Sequence, residues 1–90
     1  MADNRFTKDP EAILDYQVDW SDWLNDDTII TSEWTVPTGL TETSDSNTTT
    51  IATVWLSGGT AGATYAVENK ITTTDGRTDE RTIYIECIEK

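Results

Sequence analysis

Five aspartates form the densest set of side chains in the sequence that could do chemistry. They are Asp15, Asp19, Asp22, Asp26 and Asp27, with no Lys or Arg among residues 15–27. Calcium takes about six to eight oxygen ligands, and a loop over residues 22–27 could supply several, although the spacing does not match an EF-hand. Paired carboxylates can also act in acid–base catalysis, but a protonated carboxyl needs a deep apolar pocket, for which so small a chain has little room. A solvated acidic face is the favoured interpretation, and calcium binding stays open as the alternative.

Nucleophilic and metal chemistry have few candidate residues. The chain has no His and one Cys, Cys87. A His-dependent triad, an intrachain disulfide and a Cys/His zinc site are therefore excluded. Cys87 has no His or basic neighbour to activate it, so we expect a small apolar residue of the core. We expect no enzymatic activity and no cofactor.

Length and charge limit the class of protein. Ninety residues suffice for one small domain, and 17 Asp and Glu against 6 Lys and Arg leave a net charge of −11. This charge repels phosphate backbones and anionic membrane surfaces, so we expect neither nucleic acid nor membrane as a partner. The start of the sequence has no apolar run, so we expect no secretory signal and no membrane anchor, and synthesis in a cytoplasm.

Apolar and polar residues alternate along most of the chain, a pattern typical of strands with one packed and one solvated face. The alternation covers residues 14–20, 28–36, 48–57, 65–72 and 81–88, and residues 40–43 form a candidate edge strand before a polar stretch. Trp55 falls on the face opposite Ala52, Val54 and Leu56, and Ile30 on the same face as Trp34. Asp75 and Gly76 predict a tight hairpin. Six to seven strands about ten residues apart predict an all-β antiparallel sandwich.

The first residues follow neither hydrophobic period. Residues 1–11 are polar, contain Pro10 and carry Phe6 near their middle. We expect an extended N-terminal arm over residues 1–11 and a single domain over residues 12–90. Fraying of the arm and a clasp onto another subunit both remain open.

Aromatic residues exceed what a small core needs. A sandwich of this size comfortably buries about one or two Trp side chains, but the chain has four. Packing at the sandwich end, a protein interface and a sugar-stacking platform flanked by Asn47, Asn69 and Asp22 all remain open. Arg77 and Arg81 are read either as charges that protect a strand edge or as partners of carboxylates on another protein. The candidate partner-binding residues are Phe6, Trp20, Trp23, Trp55, Arg77 and Arg81.

Two features resemble immunoglobulin and fibronectin type III modules. Trp34 stands in an early strand, where such folds pack a large ring between the sheets. The segment LSGGTAGATYAV at residues 56–67 resembles a tyrosine corner, in which the Tyr65 hydroxyl meets a backbone group a few residues upstream. The immunoglobulin cysteine pair is missing, so the resemblance implies a relative of that fold. The candidate structural residues are Trp34, Tyr65, Gly62, Asp75 and Gly76.

Taken whole, the sequence resembles a family of short proteins from tailed bacteriophages. The similarity spans nearly all of residues 8–90 and rests on KDPE at 8–11, YQVDWSDWL at 16–24, WTVP at 34–37, VWLSGG at 54–59 and DGRTDER at 75–81. That family is thought of as immunoglobulin-like virion or head-morphogenesis proteins without an assigned reaction. The resemblance implies a structural virion protein made in the bacterial cytoplasm.

Such a protein would dock on capsid, neck or tail and fibre subunits, as a capsid decoration or at a head–tail or neck–fibre junction. The alternative is a carbohydrate-binding adhesion module on the particle that contacts cell-surface glycan. Trp55 and Trp23, off the predicted core face, motivate this alternative.

Overall fold

Seven strands and one helical turn build two sheets that pack face to face. The computed structural model describes residues 5–89, so that residues 1–4 of the expected arm and Lys90 lie outside the described residues. The elements are β1 (Arg5–Lys8), β2 (Leu14–Asp19), α1 (Ser21–Leu24), β3 (Ile29–Thr35), β4 (Leu40–Asn47), β5 (Ile51–Gly58), β6 (Thr64–Thr73) and β7 (Thr78–Cys87).

The strand order divides the chain between the sheets. The first sheet has the order β1-β7-β6-β3 and the second has the order β2-β5-β4. Neighbouring strands are antiparallel, except that β1 runs parallel to β7. The predicted all-β sandwich is confirmed.

Alternation placed most of the core correctly. Ala52, Val54 and Leu56 of β5 are fully buried, and the neighbouring Trp55 is exposed. Burial of these apolar side chains between the sheets is the main favourable contribution to folding. The buried apolar residues are Tyr16, Val18, Trp20, Leu24, Ile29, Leu40, Ala52, Val54, Leu56, Val67, Ile71, Ile83, Ile85 and Cys87.

Part of the segment expected as an arm belongs to the first sheet. β1 pairs with β7, and the Phe6 ring packs 5.3 Å from the ring of Tyr16. Lys8 is fully buried, and its Nζ donates hydrogen bonds to the carbonyl oxygens of Gly58 (2.6 Å) and Asp9 (3.0 Å). Backbone pairing and two inward side chains therefore hold a segment that has no hydrophobic period of its own.

A β-bulge changes the expected pattern in β3. The pairing of β3 with β6 shifts between Ile29 and Thr31, so Ile29 is buried and Ile30 is 59% exposed. The expectation that Ile30 shares the face of Trp34 was wrong, because an extra residue in a bulge reverses the alternation beyond it.

β4 is longer than the predicted edge strand. Its pairing with β5 continues to Asn47, which lies opposite Ala52. The Ser, Asp and Asn residues of this stretch favour turns, but backbone hydrogen bonds to the well-packed β5 outweigh that preference.

The connection between β2 and β3 contains α1 and ends it at Asn25. Asn25 has a φ of 62°, in the left-handed region that asparagine tolerates better than most residues. Across residues 5–89, no helix combines the length and apolar character needed to cross a membrane.

Candidate functional site

Three connections meet at one end of the sandwich, which we call the loop end: residues 20–28, 48–50 and 74–77. Backbone hydrogen bonds join them, from Trp20 N to Thr50 O and from Thr74 N to Thr28 O, both 2.9 Å. The loops are therefore fastened to one another by their main chains.

Trp20 is buried at the base of the loop end. Its exposure is 0%, and its Nε1 donates a 2.9 Å hydrogen bond to Oδ1 of Asn69. Asn69, also fully buried, donates from Nδ2 to Ser32 Oγ (2.9 Å) and Glu33 O (3.1 Å). Neither side chain is accessible to a partner. The prediction of Trp20 as a partner-binding residue and of Asn69 as a flank of a sugar platform was therefore wrong. The alternation of residues 14–20 already placed Trp20 inward.

Two arginines stack on two tryptophans at the loop end. Arg77 lies 4.3 Å from the ring centre of Trp23, and Arg81 lies 4.3 Å from that of Trp20. The two indoles meet edge to face, 5.3 Å apart. Arg81 also donates from Nη1 to Asp19 O at 3.1 Å. These contacts within the chain stabilise the domain. Both arginines that the sequence suggested as partner-binding residues therefore contact tryptophans of their own chain.

Asp27 fastens the β6–β7 hairpin to this end. Its side chain is 2% exposed and accepts hydrogen bonds from Arg77 Nε (3.0 Å), Thr28 N (2.8 Å) and Asp75 N (3.1 Å). Burial raises the pKa of Asp27, but hydrogen bonds from Thr73, Thr28, Arg77 and Asp75 outweigh it and lower the pKa to about 2. Asp27 is therefore a structural carboxylate.

The other acidic residues of the 15–27 segment do not converge. Within the described part of the chain, no three or more His, Cys, Asp or Glu side chains lie close enough to hold a metal ion. Asp19 Oδ1 accepts a 2.9 Å hydrogen bond from Ser21 N, which lowers the pKa of Asp19.

Trp55 stands in the middle strand of the three-stranded sheet and points away from the core. It is 40% exposed, and Asp15 of β2 and Ser44 of β4 lie beside it across the strands. The outward positions of β4 and β5 carry no charge. We call this surface the Trp55 face, formed by Thr41, Ser44, Ser46, Ile51, Thr53, Trp55 and Ser57.

The outer face of the four-stranded sheet has the opposite character. Glu33, Lys70 and Glu80 lie side by side across β3, β6 and β7. Tyr84 is 36% exposed, and Arg5 lies 5.8 Å from its ring centre. Mixed charges of this kind are typical of a solvated surface.

The Tyr65 hydroxyl lies at the sandwich end opposite the loop end. The backbone N–H of Thr60 donates a 3.0 Å hydrogen bond to the Tyr65 hydroxyl, as the sequence predicted. Gly39, with φ of 109°, packs so closely against the Tyr65 ring that an added Cβ would lie 2.8 Å from its Cε1. Gly62 has φ of 91° and donates from its N–H to Cys87 O at 2.7 Å.

The remaining structural candidates lie where strands or turns were expected. Trp34 is half-buried against the core, and its Nε1 makes no hydrogen bond within residues 5–89. Asp75 and Gly76 lie in a four-residue connection, residues 74–77, in which Gly76 has φ of 88°. The hairpin prediction is confirmed, although Gly76 alone takes the positive angle.

Sequence reasoning missed a pair of carboxyl groups on the edge strand. Glu42 and Asp45 lie opposite Leu56 and Val54, so both sit on the core side of β4. A hydrogen bond with Asp45, together with burial and the nearby charge, raises the pKa of Glu42 to about 7. The β-bulge between Glu42 and Ser44 brings the pair to one face, and simple alternation does not reveal it. Charged side chains turned inward oppose pairing of an edge strand with another chain.

One known protein family matches most of the chain. A family model described as "Podophage GP4 fiber-tail adaptor protein gp77" matches residues 8–86. The matched region contains every strand from β2 to β6 and nearly all of β7. No curated protein matches the chain.

Proposed function

The chain belongs to the podophage fiber-tail adaptor family, and from that premise we propose that it is a non-enzymatic virion protein that joins a fibre to the tail. The match over residues 8–86 carries the proposal, because it spans almost the whole described chain. Membership identifies a structural protein family of tailed phages, as the sequence resemblance implied. Its description directs the proposal to the junction of tail and fibre, ahead of the capsid surface.

We further propose that the sandwich is immunoglobulin-like. With β1 to β7 labelled A′ to G, the sheets have the orders A′-G-F-C and B-E-D. A constant-type immunoglobulin domain has the same partners, with its first strand beside B. The hydrogen bond between Thr60 and Tyr65 occupies the position of a tyrosine corner.

The geometry supports an adaptor because it offers separate surfaces on a braced scaffold. The loop end is fastened by Asp27 and by the stacked arginines. The Trp55 face lies on the side of the sandwich, away from the charged outer face of the other sheet. A net charge of −11 also disfavours adhesion to packaged DNA.

Deletion of the gene from the phage tests the proposal. We expect peptides of the protein in purified wild-type virions, and mutant particles with tails but without fibres in electron micrographs. Purified protein added to mutant particles together with purified fibre restores the fibres. Peptides confined to infected-cell lysate, or fibres retained on the mutant particles, would contradict the proposal.

A further inference from the structure

We propose that the Trp55 face is the docking surface for one of the two virion proteins that this adaptor joins. The complementary surface has an apolar pocket for an indole, an uncharged part opposite β4, and basic side chains opposite β2. The inference rests on the proposed function and names the surface and the chemistry of the partner.

The first argument is the distribution of charge. The sequence is 26% charged residues, yet the outward positions of β4 and β5 consist of Thr, Ser, Ile and Trp. The outer face of the other sheet carries Glu33, Lys70, Glu68 and Glu80. Charged residues are depleted at the centre of protein interfaces, and the uncharged outward positions of β4 and β5 match that depletion, whereas the charges of this sheet lie on β2.

The second argument is the position of the aromatic ring. Trp55 lies on the central strand of its sheet, so its neighbours on β2 and β4 can seal the contact around it. A tryptophan near the centre of a contact, surrounded by polar groups that exclude water, is the arrangement of a binding hot spot.

The third argument concerns the charged side of the surface, on β2. Asp15 and Asp19 lie along β2, beside Trp55 and Ile51 of β5. Asp19 already has Arg81 of its own chain nearby, so Asp15 is the carboxylate that calls for a basic group on the partner. Among residues 5–89, the Trp55 face of a second copy carries no Lys or Arg, because Lys70 lies on the other sheet and Arg77 and Arg81 stack at the loop end. Two copies of net charge −11 also repel each other.

The size of the face predicts how the contact is used. The Trp55 face together with the outward side of β2 spans three strands, which at about 4.8 Å spacing and about seven residues each cover roughly 330 Å². A stable interface buries about 800 Å² on each partner. One Trp55 face alone therefore binds weakly, and firm attachment of a fibre requires several copies or a contribution from neighbouring loops.

The experiment measures binding of the purified protein to particles that lack the adaptor and, separately, to purified fibre, by co-sedimentation. Trp55→Ala removes the ring, and Ser44→Glu adds a charge beside it on an exposed position. We expect each variant to lose roughly 30-fold in affinity for one of the two partners, as for a hot-spot residue. The matched controls on the outer face of the other sheet, Tyr84→Ala and Thr64→Glu, bind as the wild type does.

Circular dichroism and urea unfolding establish that each variant is folded. If Trp55→Ala and Ser44→Glu bind both partners with the affinity of the wild type, the docking proposal is overturned and the adaptor role stays intact. A dimer that Trp55→Ala dissociates overturns it in favour of a second copy, and loss confined to host-cell glycan overturns it in favour of a sugar site. Wild-type protein that binds neither particles nor fibre overturns the proposed function itself.

Discussion

The indole N–H of Trp20 donates a 2.9 Å hydrogen bond to the side-chain oxygen of Asn69, which lies 49 residues further along the chain. Trp20 follows β2 of one sheet, and Asn69 belongs to β6 of the other. Both side chains are fully buried, so this bond is a polar link between the sheets inside the core. A buried polar group is expensive when it lacks a partner, and each of these residues satisfies the other.

Replacement of Asn69 by Ala tests this link. The variant removes the acceptor of the buried Trp20 N–H and the donor to Ser32 Oγ and Glu33 O, and we expect the free energy of unfolding to fall by about 2–3 kcal/mol. Urea unfolding followed by tryptophan fluorescence measures the change. Asn47→Ala removes an exposed asparagine and should stay within about 0.5 kcal/mol of the wild type. Equal losses for the two variants would refute a special role for the buried pair.

Alanine variants of Gly39 and Gly76 distinguish the cost of backbone strain from the cost of a steric clash. Both have positive φ, 109° and 88°, but only Gly39 has a side chain, that of Tyr65, within reach of an added Cβ. We expect Gly76→Ala to cost about 1 kcal/mol from the backbone conformation alone, and Gly39→Ala to cost at least about 1 kcal/mol more. Thermal unfolding of both variants measures the difference, and similar melting temperatures would contradict it.

Arg77 tests the stacking at the loop end. Its guanidinium contacts Trp23 and donates both to Asp27 and to Leu24 O at 2.8 Å, which the single ammonium of lysine cannot reproduce. We expect Arg77→Lys to lower the free energy of unfolding by about 1 kcal/mol and to change the fluorescence of Trp23. Lys70→Arg, on the exposed outer face, is the control. A variant as stable as the wild type would show that charge alone is required.

The lowered pKa of Asp27 predicts that the protein loses stability in acid. Its pKa is about 2 in the folded protein and 3.8 as the ordinary value, so the unfolded chain binds more protons between these limits. Its contribution to stability is therefore complete above pH about 4 and falls as the pH drops toward 2. Urea midpoints at pH 2 to 5 measure this loss. The variant Asp27→Asn should be less stable at pH 6 and should show a smaller change over the acid range.

The raised pKa of Glu42 predicts that stability falls as the pH rises near neutrality, which is the opposite of the effect of Asp27. Its pKa is raised from 4.5 to about 7, so the folded protein binds more protons between these values. Its favourable contribution is complete below pH about 4.5 and is lost as the pH rises through 7. We expect Glu42→Gln to flatten the decline of urea midpoints between pH 5 and 8. The effect is small, because the group lies at a partly exposed sheet edge. An unchanged slope in the variant would exclude Glu42 as its source.

Strand pattern was the most predictable part of the fold. The inward Ile83, Ile85 and Cys87 of β7 and the outward Trp55 of β5 followed from two-residue alternation. The β3 register did not follow, because the bulge at Ile29 and Thr31 depends on pairing with β6, a tertiary contact that has no local signature.

Side chains that reach other elements were the least predictable. Two-residue alternation predicts the face of the strand from which the Arg81 side chain projects, but it does not predict that the guanidinium stacks on the ring of Trp20. The burial of Lys8 likewise depends on Gly58 O, which is 50 residues away in sequence. The partner-binding role of Trp55 rests on exposure and charge, and it stays a prediction.

The parallel pair of β1 and β7 has a mechanical consequence. The first residue of β1, Arg5, lies beside Tyr84, and the last residue of β7, Cys87, lies beside Lys8. The chain therefore enters β1 at one end of the strand pair and leaves β7 at the other end. Tension applied to the two ends of the chain acts along these strands, and all of their hydrogen bonds share the load at once instead of opening one after another.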